Sequence, residues 1–196
     1  MKLTPVRNRI LFYGLLSLQL ILAFSASSQT YRVSRAVITV EGTAREKAWS
    51  MKSQTAEGSA RLLFRNDKLK EVSALNLSIP VGELKSENAA MDQRAYKALK
   101  RYPYDQIRFS GKIMELTETG ADTYLLSAEG NLQIAGITRV VTMMVDVRVN
   151  GDGTLIGTGT KEIKRSDFDI RLLPAEERLM TLSDRLRVNF QLTLLK

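Results

Sequence analysis

Along most of this chain apolar and polar residues alternate with period two, a pattern that dictates strands with one dry and one wet face. Ile38, Val40 and Gly42 alternate with Thr39 and Glu41, and a second run reaches Trp49, Met51 and Ser53. Ala60, Leu62 and Phe64 follow, and Asn66-Asp67 turns the chain into Leu75, Leu77, Ile79 and Val81. Later runs carry Ile107, Phe109, Gly111 and Ile113, then Tyr124 to Ile134, then Val141 to Val149, with ETGAD, AGIT and NGDG as the turns between and after them. TLIGTGTKEI is a glycine-rich strand, and Leu186, Val188, Phe190, Leu192 and Leu194 close the sequence. Eight or nine antiparallel strands joined mainly by short turns require a barrel or sandwich, and strands this long favour the barrel.

Two segments break the alternation. LKSENAAMDQRAYKALKRYPYDQ, from Leu84 onward, places Met91, Ala95 and Leu99 at i, i+4 and i+8, one face of a short helix that Pro103 stops. Ser86 can cap that helix, or Asp92 can cap a shorter one from Gln93 to Lys100. So short a helix needs a surface to rest on, so its apolar stripe is expected to lie over one end or side of the barrel. The second segment, SDFDIRLLPAEERLMTLSD, is an irregular connection with a helical turn around Glu176 to Met180.

Before the first strand, Lys2, Arg7 and Arg9 precede the apolar run Ile10 to Phe24 and the small residues SASSQ, the pattern of a cleaved export signal over residues 1–28. One domain, residues 29–196, would remain, exported to the periplasm or the medium. The formal charge of +8 falls to +5 without those three cations. That basicity suits an anionic head group, or transient contact with an anionic membrane surface, and not nucleic acid. The chain has no histidine and no cysteine. It therefore cannot build a Ser-His-Asp triad, a Cys-His pair or a zinc site of the usual ligands, and no metal or cofactor is expected. The paired acids Asp167 and Asp169, or Glu176 and Glu177, are better read as solvated loop residues than as acid-base catalysts, so the protein is not expected to be an enzyme.

Four stretches together resemble the YceI-like family of exported lipid-binding proteins. VITVEGTAREKAWSMK is similar to the family's first hairpin; LKSENAAMDQRAYKALKRYPYDQIRF resembles its short helix followed by Tyr-Pro and an I-x-F strand. GNLQIAGITRVVTMMVDV resembles its G-x-L-x-I-x-G-x-T-(K/R)-x-V strand pair, and KRSDFDI its R-S-D-F-G-I ending. The resemblance spans residues 31 to 195 in order. It implies an all-β fold, an eight-stranded antiparallel lipocalin-like barrel with a short helix in the 84–103 connection, holding a polyisoprenoid or similar long-chain lipid. Lys47 stands where many relatives carry histidine, and Asp169 where glycine is usual.

The expected ligand-binding residues are the apolar, inward members of the strands: Leu75, Leu77, Ile79, Phe109, Leu126, Leu132, Val141, Met143, Val145, Val188, Phe190 and Leu192. Trp49 and Met91 join them. In a barrel of eight strands such a set either fills the interior or lines a slender cavity. For the head group of a lipid the candidates are Arg94, Arg101, Tyr102, Lys161 and Arg165, with Lys97 and Tyr96 nearby. GTGT at Gly157 to Thr160 lacks the Lys-Ser/Thr of a phosphate loop, and its small residues let a ligand or neighbouring strand come close. An outer-membrane barrel is disfavoured because the opposite strand faces carry Arg108, Lys112, Arg148 and Arg187. The expected function is carriage or sequestration of a long isoprenoid or fatty-acid-like ligand. The alternative is a filled barrel that acts through its surface in protein interaction or stress response. The oligomeric state is open, a dimer included.

Overall fold

The computed structural model describes residues 27–196. The candidate export signal lies outside these, apart from Ser27 and Ser28, which begin the first strand. Nine strands follow in order: β1 (Ser27–Ala44), β2 (Lys47–Ser53), β3 (Glu57–Arg65), β4 (Lys68–Pro80), β5 (Gln106–Gly120), β6 (Thr123–Ile134), β7 (Ile137–Val149), β8 (Leu155–Lys164) and β9 (Arg185–Leu195). Helix α1 (Ala89–Ala98) lies between β4 and β5, and α2 (Pro174–Met180) between β8 and β9.

All neighbours are antiparallel, and β1 closes the sheet by pairing with β9 from Arg32 to Glu41. The other edge of β1 is shared: Ile38 to Ala44 pair with β2, Ser27 to Arg32 with β3. Strands β2 and β3 are thus one broken barrel position, and the closed barrel has eight. It is the expected lipocalin-like architecture.

β1 starts well before the alternation that marks it in the sequence. Its pairing with β9 shifts register between Val33 and Arg35, a bulge that moves the buried set from Tyr31 and Val33 to Ala36 and Ile38. One extra residue reverses the face of every later side chain, which erases a period-two signal read across it.

Both long connections emerge at one end of the barrel, called here the mouth. Three short turns close the opposite end: Asn66-Asp67, Ala121-Asp122 and Asn150–Thr154. That end is filled. Tyr31, Leu69, Val72, Tyr124, Leu155 and Leu194 are buried there in one cluster, and the Tyr124 hydroxyl accepts the Leu69 N–H at 3.2 Å. At the mouth a second cluster joins Ala98 of α1 to Ile134, Ala135, Phe168 and Ile170, with Leu172 beside it. The two connections are therefore tied to the barrel rim by apolar contact.

Local chemistry shapes the mouth. The cap of α1 is Asn88, whose Oδ1 accepts from the N–H groups of Ala90 (2.9 Å) and Met91 (3.1 Å). Neither Ser86 nor Asp92, the expected caps, performs this task, because they bond each other: Asp92 Oδ1 accepts from both N and Oγ of Ser86, each at 2.7 Å. The Tyr96 hydroxyl ties α1 down, its one proton shared between the carbonyls of Gly82 (3.0 Å) and Leu84 (2.9 Å). Asp169 takes the left-handed conformation (φ 49°) that favours glycine. Aspartate tolerates it better than most residues, and its carboxylate is gripped by Lys100 (3.2 Å) and Arg171 (2.7 Å). Hydrogen bonding from Lys100, and the charge of Arg171, hold that carboxyl below the usual range.

Candidate ligand-binding site

The barrel interior is open from its filled end to the mouth. A cavity of about 480 Å³ borders Leu69, Leu155 and Leu194 at the filled end, Leu77, Phe109 and Phe190 in the middle, and Met91, Arg94 and Met180 at the mouth. Along it runs the whole of β8, ten residues. At about 3.3 Å per residue and a tilt near 40°, that is about 30 Å of strand and roughly 23 Å of barrel axis. Such a shape suits an extended chain.

Aromatic rings and glycines share the wall. A Cβ at Gly159 would lie 2.5 Å from Phe190 Cζ, and one at Gly42 2.5 Å from Trp49 Cζ2. The Phe109 ring lies similarly over Gly111 and Gly130, at 2.9 and 2.8 Å. These glycines let large rings lie flat against the wall instead of crossing the lumen. Gly157 differs: a Cβ there would meet only Val145 at 3.5 Å and Val147 at 4.0 Å, so it faces open cavity.

Of the expected ligand-binding residues, all but Val141 border the cavity. Val141 has the inward phase but pairs with Gly130, the glycine under the Phe109 ring, and that ring covers the wall at this level. The expected stripe of α1 also faces the lumen: Met91, Ala95 and Leu99 all border it. The indole N–H of Trp49 is buried and is a donor without a partner among the described residues.

The head-group candidates separate. Arg94, Lys161 and Arg165 border the cavity; Arg101 and Tyr102 do not. After the cap residue Leu99, Lys100 takes a left-handed φ of 51°, which ends the helical path. The Arg101 guanidinium then lies over the rings of Tyr96 (5.1 Å) and Tyr102 (5.5 Å), while Tyr102 is 83% exposed. Arg165 is committed elsewhere. Its side chain is only 11% exposed, and it donates to the carbonyls of Ser183 (2.9 Å), Ile170 (3.0 Å) and Leu182 (3.4 Å) and to Glu177 (3.0 Å). It organises the 165–184 connection over the mouth. Burial pushes the Glu177 carboxyl up, but the Leu172 N–H and the Arg165 guanidinium outweigh it and hold the group below the usual carboxylate range.

Lys161 has an unusual place. β7 and β8 pair only between Asp146–Val149 and Leu155–Thr158. Towards the mouth the two strands part, and Lys161 Nζ crosses the gap to the Thr142 carbonyl at 2.7 Å. Arg94 reaches the other way, from α1 to α2, where its Nε lies 3.2 Å from Glu176 Oε1. Among the described residues, no aspartate or glutamate borders the cavity. No cluster of acids suited to a metal ion occurs among the described residues.

Sequence reading missed the contribution of the 165–184 connection, since Ile170, Leu172, Met180 and Leu182 border the cavity without any periodic signal. Of the deep-end residues only Leu194 was legible, as an ordinary member of the last strand; Leu69 and Leu155 were not singled out.

Comparison with known proteins gives a matching result. The sequence model of the YceI-like domain matches residues 25–194. No curated protein matches. Among solved structures, Burkholderia cenocepacia BcnA is 18% identical with a TM-score of 0.65, over 81% of this chain and 95% of its own. A polyisoprenoid binding domain from Saccharophagus degradans, implicated in plant cell wall breakdown, is 11% identical with a TM-score of 0.68, over 84% and 97%. At these identities the two structures establish the shared fold.

Proposed function

The chain belongs to the YceI-like domain family, and on that premise we propose that it is a non-catalytic lipid carrier, holding one long apolar chain inside the barrel with the polar end at the helix-covered mouth. The observation that carries this reading is the apolar cavity running from Leu155 and Leu194 to α1 and α2. Each buried methylene contributes about 0.8 kcal/mol, so ten contribute on the order of 8 kcal/mol before ordering costs. Affinity therefore tracks apolar length. The polyisoprenoid-binding neighbour supports an isoprenoid ligand. Export ahead of function is part of the proposal, since residues 1–28 have the composition of a signal.

Organic extraction of the purified protein, followed by mass spectrometry and by uptake of added lipid, tests this. Recovery of a long-chain lipid, or stoichiometric uptake of one, is expected. Neither extracted lipid nor uptake would leave the barrel as a surface-acting module.

A further inference from the structure

Among the described residues, the charged groups at the cavity are all cations, Arg94, Lys161 and Arg165. They are not equivalent. The Arg165 guanidinium is used up by three backbone carbonyls and Glu177, in a side chain 11% exposed. Lys161 spends one of three ammonium donors on the Thr142 carbonyl, the one bond described for it. Arg94 spends one N–H of five on Glu176, at 3.2 Å, with both side chains partly open to solvent (38% and 29%). The cavity itself borders Arg94 but not Glu176. The carboxylate thus holds the arginine Nε from α2 and leaves the other guanidinium N–H groups without a described partner, in a side chain that borders the lumen.

We infer that the mouth selects long-chain ligands whose polar end is an anionic oxygen group, carboxylate or phosphate monoester, and that Glu176 sets the strength of that selection by competing with the ligand for Arg94. This rests on the carrier reading. An oxyanion at the mouth meets unused donors of Arg94 and Lys161 with no lining carboxylate to repel it. A cationic head meets two like charges, and a hydroxyl gains no charge-assisted bond. Glu176 is the acid paired with Arg94, so an arriving oxyanion either shares Arg94 with it or displaces it. Displacement releases the ion pair that joins α1 to α2, so an acidic ligand loosens the cover it passes beneath.

The test uses three probes with one tail: oleyl alcohol, oleic acid and oleyl phosphate, titrated into the delipidated protein at mildly alkaline pH. The alcohol reports the lumen alone; the ratio of acid or phosphate to alcohol reports the mouth. The wild type is expected to prefer both anions, and added salt should shrink the preference. Glu176→Gln should raise the anion-to-alcohol ratio about fivefold. Arg94→Gln should lower it about tenfold. Whether the acid or the phosphate gains more identifies which anion the mouth fits. A ratio near one in the wild type, or one unmoved by both substitutions, overturns the inference while leaving the carrier reading intact. Failure of the alcohol to bind removes the carrier reading and this inference together.

Discussion

A leucine at position 157 should shorten the lumen from its deep end without disturbing the fold. Gly157 lies on β8 opposite Val147 and Leu192, and a Cβ there has only ordinary contacts at 3.5 and 4.0 Å. The four side-chain carbons of leucine must enter the cavity and occupy space that a ligand tail would otherwise use. Excluding about four methylenes at about 0.8 kcal/mol each costs the ligand about 3 kcal/mol, roughly 200-fold in Kd. Only tails long enough to reach Gly157 lose this. Replacing glycine inside a strand also removes a penalty of roughly 0.5–1 kcal/mol, so the variant should be at least as stable as the parent. Titration of a homologous series of primary alcohols into both proteins gives the assay. In the parent, affinity rises with each methylene and then levels; in Gly157→Leu it levels at a shorter tail. An identical length profile in two equally stable proteins would refute the reasoning, because position 157 would then not face the bound tail.

Trp49 is the sole tryptophan and borders the cavity, so filling the lumen should shift its emission to the blue; a spectrum unchanged at saturation counts against contact with the ligand. Tyr96→Phe strands the carbonyls of Gly82 and Leu84 and should lower stability by about 1–3 kcal/mol in denaturant titration. Arg165→Met leaves three carbonyls without their shared donor, and is expected to cost about 3 kcal/mol and to speed amide exchange selectively across 165–184. The same connection should loosen in acid. The Glu177 and Asp169 carboxyls are held below their usual range in the folded protein, so their contribution is complete above about pH 4.5 and is lost as pH falls through the lowered folded values. Both side chains are more than a third exposed, so the Glu177 contribution stays below about 1 kcal/mol after solvent screening. Chemical denaturation between neutral and acid pH shows it as a decline confined to the acid side.

Strands were legible in this sequence because a barrel with a dry interior and a wet exterior writes period two directly into composition, as in β6 and β9. The signal failed where geometry breaks that period. The bulge between Val33 and Arg35 hid the first half of β1. The face of α1 was readable, since Met91, Ala95 and Leu99 obey helical spacing, but its cap was not. Three side chains that can cap lie within seven residues, and the choice depended on Ser86 and Asp92 binding each other. Among the cations, Arg94 and Arg101 look alike in sequence. They diverge because the chain turns at Lys100, one residue beyond the helix cap. The covering role of 165–184 left no local mark, because Arg165 assembles it through carbonyls up to 18 residues away.

The central claim is that one tail lies inside the barrel with its end against the filled base. Isotope-filtered NOE measurement on the complex with an unlabelled long-chain alcohol tests it most directly. The account predicts contacts from the terminal methyl of the tail to the methyls of Leu155 and Leu194, and from the head carbons to Met91 and Leu99. Contacts confined to exposed apolar side chains such as Val140 (70% exposed) and Met144 (48%) would contradict it.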